Sequence, residues 1–262
     1  MLLTNGCSFV WGDELEGYND VPPSHKELTF TSLLARSMGV PYINLATCGA
    51  CNHKIFRDTI DFLSRDLNAS SITHMVIIWS AWGRDEVAEN HTIGYEEDLN
   101  IHRFQCMTQI SPSRLNMCKP QLLACLDEYY DHYDVTRTGI MRTLSYMQTM
   151  QLLCDSMGIK LIQGVFHRRM WEQLLNSTKP KYTKTNAPWT KWIDHVFESL
   201  DGLRDECRVG LGRYIDLYGL ALEKHTIKPH AHPDEAAHEE YADLLLHIFE
   251  TKCGFGGVVE EL

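Results

Sequence analysis

The sequence predicts an α/β fold, a three-layer α/β/α sandwich around a doubly wound, mainly parallel five-stranded sheet. Short apolar segments rich in Ile, Leu and Val alternate with longer amphipathic segments, and polar residues or glycine bound each of them. With 262 residues, the chain is also long enough to bury one large core. This alternation of strands with helices is typical of doubly wound sheets.

Five segments have the character of strands buried on both faces, because their apolar residues are continuous rather than alternating. They are LLTN (2–5), YINLA (42–46), MVIIWS (75–80), IKLIQGVF (159–166) and RYIDLYG (213–219). Ligands of doubly wound sheets bind at the carboxyl ends of the strands. We therefore expect Ser8, Gly49 and Ser80 to gather at one edge of the sheet.

Helices are predicted between these strands, because apolar residues recur at helical spacing and glycines stand where some of these segments end. The segments are 27–39, 52–67, 139–158, 189–203 and 233–250. The periodicity is lost over residues 85–137. A long irregular segment in a compact domain is usually a lid, a binding insertion or an interface. We interpret it as an insertion within a single domain spanning 1–262.

The composition argues against some classes of binding partner and indicates a cellular location. A net charge of −11 argues against a nucleic-acid or anionic-membrane surface, since phosphate binding depends on clustered Lys and Arg. No window approaches a membrane span, and no secretory signal is visible. Nine scattered cysteines suit free thiols in a reducing compartment, which predicts a cytoplasmic location. The oligomeric state stays open.

A serine and a histidine at opposite ends of the chain carry the candidate chemistry. Ser8 follows the first strand in the small-residue turn Gly6-Cys7-Ser8, and His232 precedes Pro233 at the start of the last helix. A serine hydroxyl becomes an effective nucleophile when a neighbouring base removes its proton. If the two ends converge, Ser8 is the nucleophile and His232 the base of an ester hydrolase.

These segments resemble the SGNH, or GDSL-type, hydrolase superfamily, in particular divergent SGNH-like proteins of large phages and environmental bacteria. Gly6-Cys7-Ser8 is similar to the first block of that family, with cysteine in place of aspartate. NLATCGACN (44–52) resembles the second block. The resemblance implies an SGNH or flavodoxin-like fold without cofactor or metal. It also implies hydrolysis of small acyl esters, with O-acetylated carbohydrate as a candidate substrate.

The resemblance also implies an oxyanion hole. Its donors would be the backbone N–H groups of Ser8 and Gly49. The third block of the family supplies an asparagine that WSAWGRDE (79–86) lacks, so Asn52 or Ser80 would have to replace it.

Two residues of WSAWGRDE are candidates for substrate binding. They are Trp79 and Arg84, with Arg84 able to hold an anionic group. The alternatives for these residues are a core aromatic and a surface ion pair.

The last block of the family places an aspartate shortly before the His-Pro pair, where this chain has Pro229 and His230. A backbone carbonyl, Asp234 or Asp216 would then have to orient His232. The missing carboxylate leaves a second interpretation open. The protein would then be a catalytically degenerate SGNH-fold module that binds a sugar, an acyl group or a protein partner.

Two further chemistries are weaker alternatives. Cys48-Gly-Ala-Cys51 lies between a strand and a helix, where redox-active cysteine pairs occur, but the rest of the chain does not resemble a thioredoxin domain. A histidine-rich stretch could bind zinc, although its spacing matches no helix-borne ligand pair. Its members are His225, His230, His232 and His238.

Overall fold

The structure is a computed structural model that describes residues 1–17, 24–65, 70–82, 84–88, 107–110, 135–165 and 232–251. The strands are β1 (Leu2–Asn5), β2 (Tyr42–Asn44), β3 (His74–Trp79), β4 (Asp85–Ala88), β5 (Met107–Ile110) and β6 (Lys160–Val165). The helices are α1 (Ser8–Trp11), a 3₁₀ helix (Ser24–Leu28), α2 (Phe30–Met38), α3 (Asn52–Leu63), α4 (Val135–Met157) and α5 (Glu235–Thr251). The predicted helix at 189–203 and strand at 213–219 lie outside the described residues.

Four of these strands form a parallel sheet in the order β2-β1-β3-β6. In the register, Leu3 of β1 pairs with Ile43 on one side and with Met75 on the other. Val76 of β3 pairs with Ile162 of β6. The predicted parallel α/β sheet is confirmed for these four strands. Its strand order reverses at β1, which places a topological switch point between β1 and β3, where such folds bind ligands.

Helices lie on both faces of the sheet. The connection from β1 to β2 carries α2, and the connection from β2 to β3 carries α3 and runs in the opposite direction across the sheet. Since such crossovers are almost always right-handed, α2 and α3 cover opposite faces. The packing agrees, because α2 contacts α5 and α3 contacts α4. None of the helices in the described ranges is long and apolar enough to cross a membrane.

The core is centred on β3, whose residues from Met75 to Trp79 have no exposed surface. Its two faces are covered by buried side chains of the helices, among them Leu34, Ile55, Met150 and Leu245. Full burial of such an aliphatic side chain contributes about 1.5–3 kcal/mol. The apolar residues that predict this strand are therefore also the ones that the sheet buries at the centre of the core.

Residues 85–137 contain regular structure that the sequence did not predict. β4 and β5 pair antiparallel, with Asp85 opposite Ile110 and Ala88 opposite Met107. Each strand has four residues, too few for an alternating pattern to be recognised. The predicted helix at 139–158 begins earlier, at Val135. The role of the segment as an insertion stays a prediction.

Candidate active site

The turn after β1 holds Ser8 at the carboxyl edge of the sheet. Asn5 ends the strand, and its Oδ1 accepts a hydrogen bond from the Gly6 N–H at 2.8 Å. A side chain does not fit at Gly6, since a Cβ there would lie 2.3 Å from Val10 Cγ2 and 2.9 Å from the Ile78 carbonyl oxygen. Ser8 then opens α1 and is 6% exposed. A close-packed turn therefore fixes the position of the hydroxyl.

His232 reaches the same edge from the other end of the chain. Its Nε2 atom lies 2.9 Å from Ser8 Oγ. The Phe9 ring packs against the imidazole, with the centroids 5.2 Å apart. The structure therefore brings the predicted nucleophile and base within hydrogen-bond distance.

The carboxylate of Glu14 lies on the other side of the imidazole. Its Oε2 atom is 2.8 Å from His232 Nδ1. An ionised carboxylate only accepts hydrogen bonds, so Nδ1 carries the proton and Nε2 is left to accept from the Ser8 hydroxyl. This is the tautomer that a general base beside a serine needs.

A tight turn in the backbone presents Glu14 to the histidine. Gly12 ends α1 with φ 84°, and a Cβ there would lie 2.7 Å from Thr29 Cγ2 and 2.8 Å from Leu15 Cδ1. Glu14 itself has φ 67°, the one positive φ among the described residues other than glycine. Left-handed backbone is uncommon for such residues, and strained residues cluster at functional sites. The turn therefore has a conformation that the surrounding contacts must maintain.

A second carboxylate, that of Asp13, lies close to the imidazole of His232. Its Oδ2 is 3.5 Å from His232 Nε2. The side chains of Asp13, Glu14 and His232 are 21%, 16% and 14% exposed. In such a partly buried site, charge interactions are stronger than in bulk water. The two carboxylates would therefore stabilise a positive charge on the imidazole ring.

Glu14 is not among the predicted site residues, because the family resemblance places the carboxylate shortly before His232 in the chain. Asp234, one of the proposed substitutes, accepts a hydrogen bond from the Ala237 N–H at 3.0 Å and caps α5. Asp216, Pro229 and His230 lie outside the described residues. One sequence signal was present, since Asp13-Glu14 directly follows the glycine that closes the first turn.

The turn between β2 and α3 contains Gly49, the predicted oxyanion donor. Gly49 is buried and has φ 76°. Thr47 in the same turn donates its N–H to the Gly6 carbonyl at 3.3 Å. This contact places the turn against the one that carries Ser8. The oxyanion role of the backbone N–H groups of Ser8 and Gly49 stays a prediction.

Asn52 and Ser80 belong to a buried hydrogen-bond network. Asn52 Nδ2 donates to the Ser80 carbonyl at 2.9 Å and to Thr143 Oγ1 at 2.8 Å, while Asn52 Oδ1 accepts from the Ser80 N–H at 2.6 Å. Both amide hydrogens are occupied, so this geometry leaves none for an oxyanion. Ser80 is fully buried, and its Oγ accepts from Arg84 Nη1 at 2.9 Å. We therefore assign Asn52 a structural role, joining the end of β3 to α3 and α4.

The two predicted substrate-binding residues lie in different surroundings. Trp79 has no exposed surface, and its Nε1–H donates to Gln163 Oε1 at 3.1 Å. It is therefore a core residue, which differs from the predicted role, because a substrate cannot contact a fully buried ring. Arg84 is partly buried and bonded to Ser80. Its binding of an anionic group stays a prediction.

The cysteines in the described part of the chain are free thiols, namely Cys7, Cys48, Cys51 and Cys154. Cys51 is fully buried, and its Sγ accepts a hydrogen bond from the Lys54 N–H at 3.4 Å, capping α3. Burial raises the pKa of the Cys154 thiol to about 12. The burial and the capping contact of Cys51 fit a structural thiol better than a member of a redox pair.

Of the histidine-rich stretch, His232 and His238 are described, whereas His225 and His230 are not. His238 is buried in α5, and its Nδ1 accepts the Phe30 N–H at 3.0 Å. Burial lowers its pKa to about 4, so the ring is neutral near pH 7. Within the described ranges, no group of three or more His, Cys, Asp or Glu residues is arranged to hold a metal ion.

Comparison with known proteins gives matches among solved structures. No protein-family model and no curated protein sequence matches the chain. The esterase EstA from a Pseudoalteromonas species is 9% identical, with a TM-score of 0.46 over 96% of this chain and 97% of that one. The lipase Lip_vut3 from a goat rumen metagenome is 14% identical, with a TM-score of 0.47 over 97% of each chain. A member of the lipolytic G-D-S-L family from Veillonella parvula is 10% identical, with a TM-score of 0.45 over 95% and 98%.

Proposed function

We propose that the protein is a serine esterase that hydrolyses small acyl esters through Ser8, His232 and Glu14. The observation that carries the proposal is the continuous line of contacts from the serine hydroxyl to the carboxylate. Ser8 Oγ lies 2.9 Å from His232 Nε2, and His232 Nδ1 lies 2.8 Å from the Glu14 carboxylate. Nucleophile, base and orienting group are therefore all within hydrogen-bond distance before substrate binds.

In the proposed acylation step, Ser8 Oγ attacks the ester carbonyl carbon while His232 Nε2 takes the hydroxyl proton. Glu14 keeps the proton on Nδ1 and stabilises the imidazolium. The carbon–oxygen bond to the alcohol then breaks, and Nε2–H returns its proton to the leaving oxygen. The product is an acyl-serine and a free alcohol.

In the deacylation step, water takes the place of the alcohol. His232 removes a proton from the water, which attacks the acyl carbon, and the Ser8 oxygen recovers a proton as it leaves. The carboxylic acid is released, and the resting tautomer is restored. No metal or redox cofactor takes part in this sequence.

The oxyanion formed in both steps requires hydrogen-bond donors. We assign this role to the backbone N–H groups of Ser8 and Gly49, because the two turns that carry them are in contact through Thr47 and Gly6. Removing one such donor typically costs about 2.7–4 kcal/mol of transition-state stabilisation. With the Asn52 amide occupied by Ser80 and Thr143, the proposal depends on the backbone donors.

The proposed substrates are small esters, with O-acetylated carbohydrate as the candidate that the sequence resemblance implies. The test is hydrolysis of p-nitrophenyl acetate by the wild type, Ser8→Ala and His232→Ala. We expect each substitution to lower kcat by about 10³-fold or more. Ser64→Ala is the matched control, because Ser64 is an exposed serine whose hydroxyl donates to the Asp61 carbonyl of its own helix.

A covalent probe distinguishes catalysis by Ser8 from background hydrolysis of the ester. A fluorophosphonate should add one phosphonyl group to Ser8 of the wild type and none to Ser8→Ala, as read by peptide mass spectrometry. Equal hydrolysis rates in both proteins and no adduct would support the binding-module interpretation instead. A rate that depends on dithiothreitol and on Cys48 or Cys51 would support the redox interpretation.

A further inference from the structure

The turn that carries Glu14 is tied to the start of α5 by a hydrogen bond that the proposed mechanism does not use. The Glu16 N–H donates to Glu235 Oε1 at 2.8 Å. Glu235 is the first residue of α5 and lies three positions after His232. One short segment therefore supplies both the proposed base and a contact to the turn that orients it.

The turn needs such a contact because of its backbone conformation. Glu14 has φ 67°, a left-handed backbone conformation that is unfavourable at a residue other than glycine. On the N-terminal side the turn is fixed by Gly12, which packs tightly against Thr29 and Leu15. On the C-terminal side the turn is fixed by the Glu16 N–H, which donates to the Glu235 carboxylate.

We propose that Glu235 is a positioning residue, which holds the Glu14 carboxylate against His232 by binding the backbone N–H of Glu16. This rests on the proposed esterase function. Since Glu235 and His232 belong to one segment, a shift of α5 would carry the base and the turn together. The 2.8 Å contact of Glu14 with Nδ1 would thereby be kept.

A purely structural role for Glu235 is the competing explanation. An acidic residue in the first turn of a helix interacts favourably with the helix dipole. The two roles depend on different properties of the side chain. The dipole effect requires the negative charge, whereas the contact with Glu16 requires only a hydrogen-bond acceptor.

The kinetic test therefore compares Glu235→Ala with Glu235→Gln, using p-nitrophenyl acetate. We expect Glu235→Ala to lower kcat by about tenfold with KM little changed, since small misplacements of catalytic groups are costly. Glu235→Gln should stay within about twofold of the wild type, because its amide oxygen still accepts from Glu16. Asp234→Ala is the matched control. It removes the cap of α5 at Ala237 and should lower the Tm while kcat stays within about threefold.

A second measurement does not depend on turnover. The ¹⁵N chemical shifts of the His232 ring report its tautomer, and we expect the Nδ1–H form in the wild type and in Glu235→Gln. Glu235→Ala should show a mixture of tautomers. In a Glu14→Gln background, Glu235→Ala should have no further effect on kcat, because a residue that acts through Glu14 has nothing left to position.

Each outcome bears on one of the two proposals. A Glu235→Gln variant as slow as Glu235→Ala, or an Asp234→Ala variant with the same loss of kcat, would overturn the positioning role. An unchanged His232 tautomer in Glu235→Ala would overturn it as well. A tautomer that shifts as expected in a protein without Ser8-dependent hydrolysis would leave the positioning role standing and remove the esterase function.

Discussion

Glu14 and His232 lie near opposite ends of the chain, and the Glu14 carboxylate is 2.8 Å from the His232 Nδ1 atom. The sequence resemblance led us to expect this carboxylate shortly before the His-Pro pair, where Pro229 and His230 stand instead. In the structure this carboxylate belongs to Glu14 instead, in the turn that follows Ser8. A missing aspartate in the last block is therefore no argument for a degenerate site, because Glu14 supplies a carboxylate within hydrogen-bond distance of Nδ1.

The first prediction concerns this carboxylate. Glu14→Gln should lower kcat for p-nitrophenyl acetate by about 10³–10⁴-fold, as expected when an amide replaces the carboxylate of a serine-histidine site. The physical reason is the tautomer. An amide can present its NH₂ group to Nδ1, which shifts the ring proton to Nε2 and removes the base from Ser8. Steady-state kinetics at neutral pH give the measurement.

Glu16→Gln is the control for that experiment, since it removes a negative charge from the same turn. Only the backbone N–H of Glu16 takes part in the contact with Glu235, so this variant should keep kcat within about twofold. If both glutamine variants lose activity equally, the charge of the turn matters and the specific contact of Glu14 does not.

The second prediction concerns the dependence of stability on pH. Burial lowers the pKa of His238 from 6.5 to about 4 in the folded protein. Between these values the unfolded chain binds a proton that the folded protein rejects. The free energy of unfolding should therefore fall as the pH decreases from 6.5 towards 4, by about 3 kcal/mol for this group. Urea unfolding across this range gives the slope.

His238→Asn isolates the contribution of this residue. The Asn amide oxygen can accept the Phe30 N–H in place of Nδ1, and it does not titrate. The variant should show a shallower decrease in stability below pH 6.5, with the remainder due to other groups such as His25 and His74, whose pKa values burial also lowers. Identical slopes in both proteins would show that His238 is not protonated on unfolding in this range.

The third prediction separates two roles for Asn52. Asn52→Ala leaves the Ser80 N–H, the Ser80 carbonyl and the Thr143 hydroxyl without this partner in a buried region. Since each unsatisfied buried group costs about 1–3 kcal/mol, we expect the free energy of unfolding to fall by about 3 kcal/mol or more. Thr143→Val, which removes one acceptor, should cost about 1–2 kcal/mol. Chemical denaturation measures both variants.

Activity distinguishes the structural role from the oxyanion role predicted for Asn52. At a temperature where Asn52→Ala is folded, kcat should decrease by less than about tenfold. A loss of about 100-fold or more in a fully folded variant, the size expected for an oxyanion donor, would contradict the structural role.

The parts of the fold that the sequence predicted are those that follow from local burial. The apolar run of β3 must be covered on both faces, which identifies it as a central parallel strand from its own residues. The preference for right-handed crossovers then places the carboxyl ends of the strands at one edge. Ser8 could be assigned to that edge without knowledge of any contact. His232 followed from its Pro neighbour and the family resemblance.

The remaining site residues could not be predicted because they depend on non-local geometry. The contact of Glu14 arises from a positive φ and from the docking of α5, and neither leaves a periodic signal. Trp79 resembled a pocket residue in the sequence, but its neighbour Gln163 on β6 provides a buried hydrogen-bond partner. Asn52 had the right position for an oxyanion donor, and only its actual partners show that the amide is occupied.

The last prediction concerns the contact between α4 and the loop after β3, which supports the Asn52 network. A Cβ at Gly139 would lie 1.9 Å from the Trp82 carbonyl oxygen and 2.7 Å from its carbonyl carbon. These are backbone atoms, so the helix has to move away from the loop. Gly139→Ala should therefore destabilise the protein by about 3 kcal/mol, even though alanine favours a helix by up to about 1 kcal/mol.

Gly158→Ala provides the comparison for Gly139→Ala. A Cβ at Gly158 meets no atom within 4 Å, but its φ of 67° strains an alanine by about 1–2 kcal/mol. Urea denaturation of the two variants should therefore rank Gly139→Ala as the more destabilised. The Gly139→Ala variant should also hydrolyse p-nitrophenyl acetate more slowly, because moving α4 displaces Thr143 and with it the Asn52 contact to Ser80. Equal stabilities would mean that α4 does not pack against Trp82 in solution.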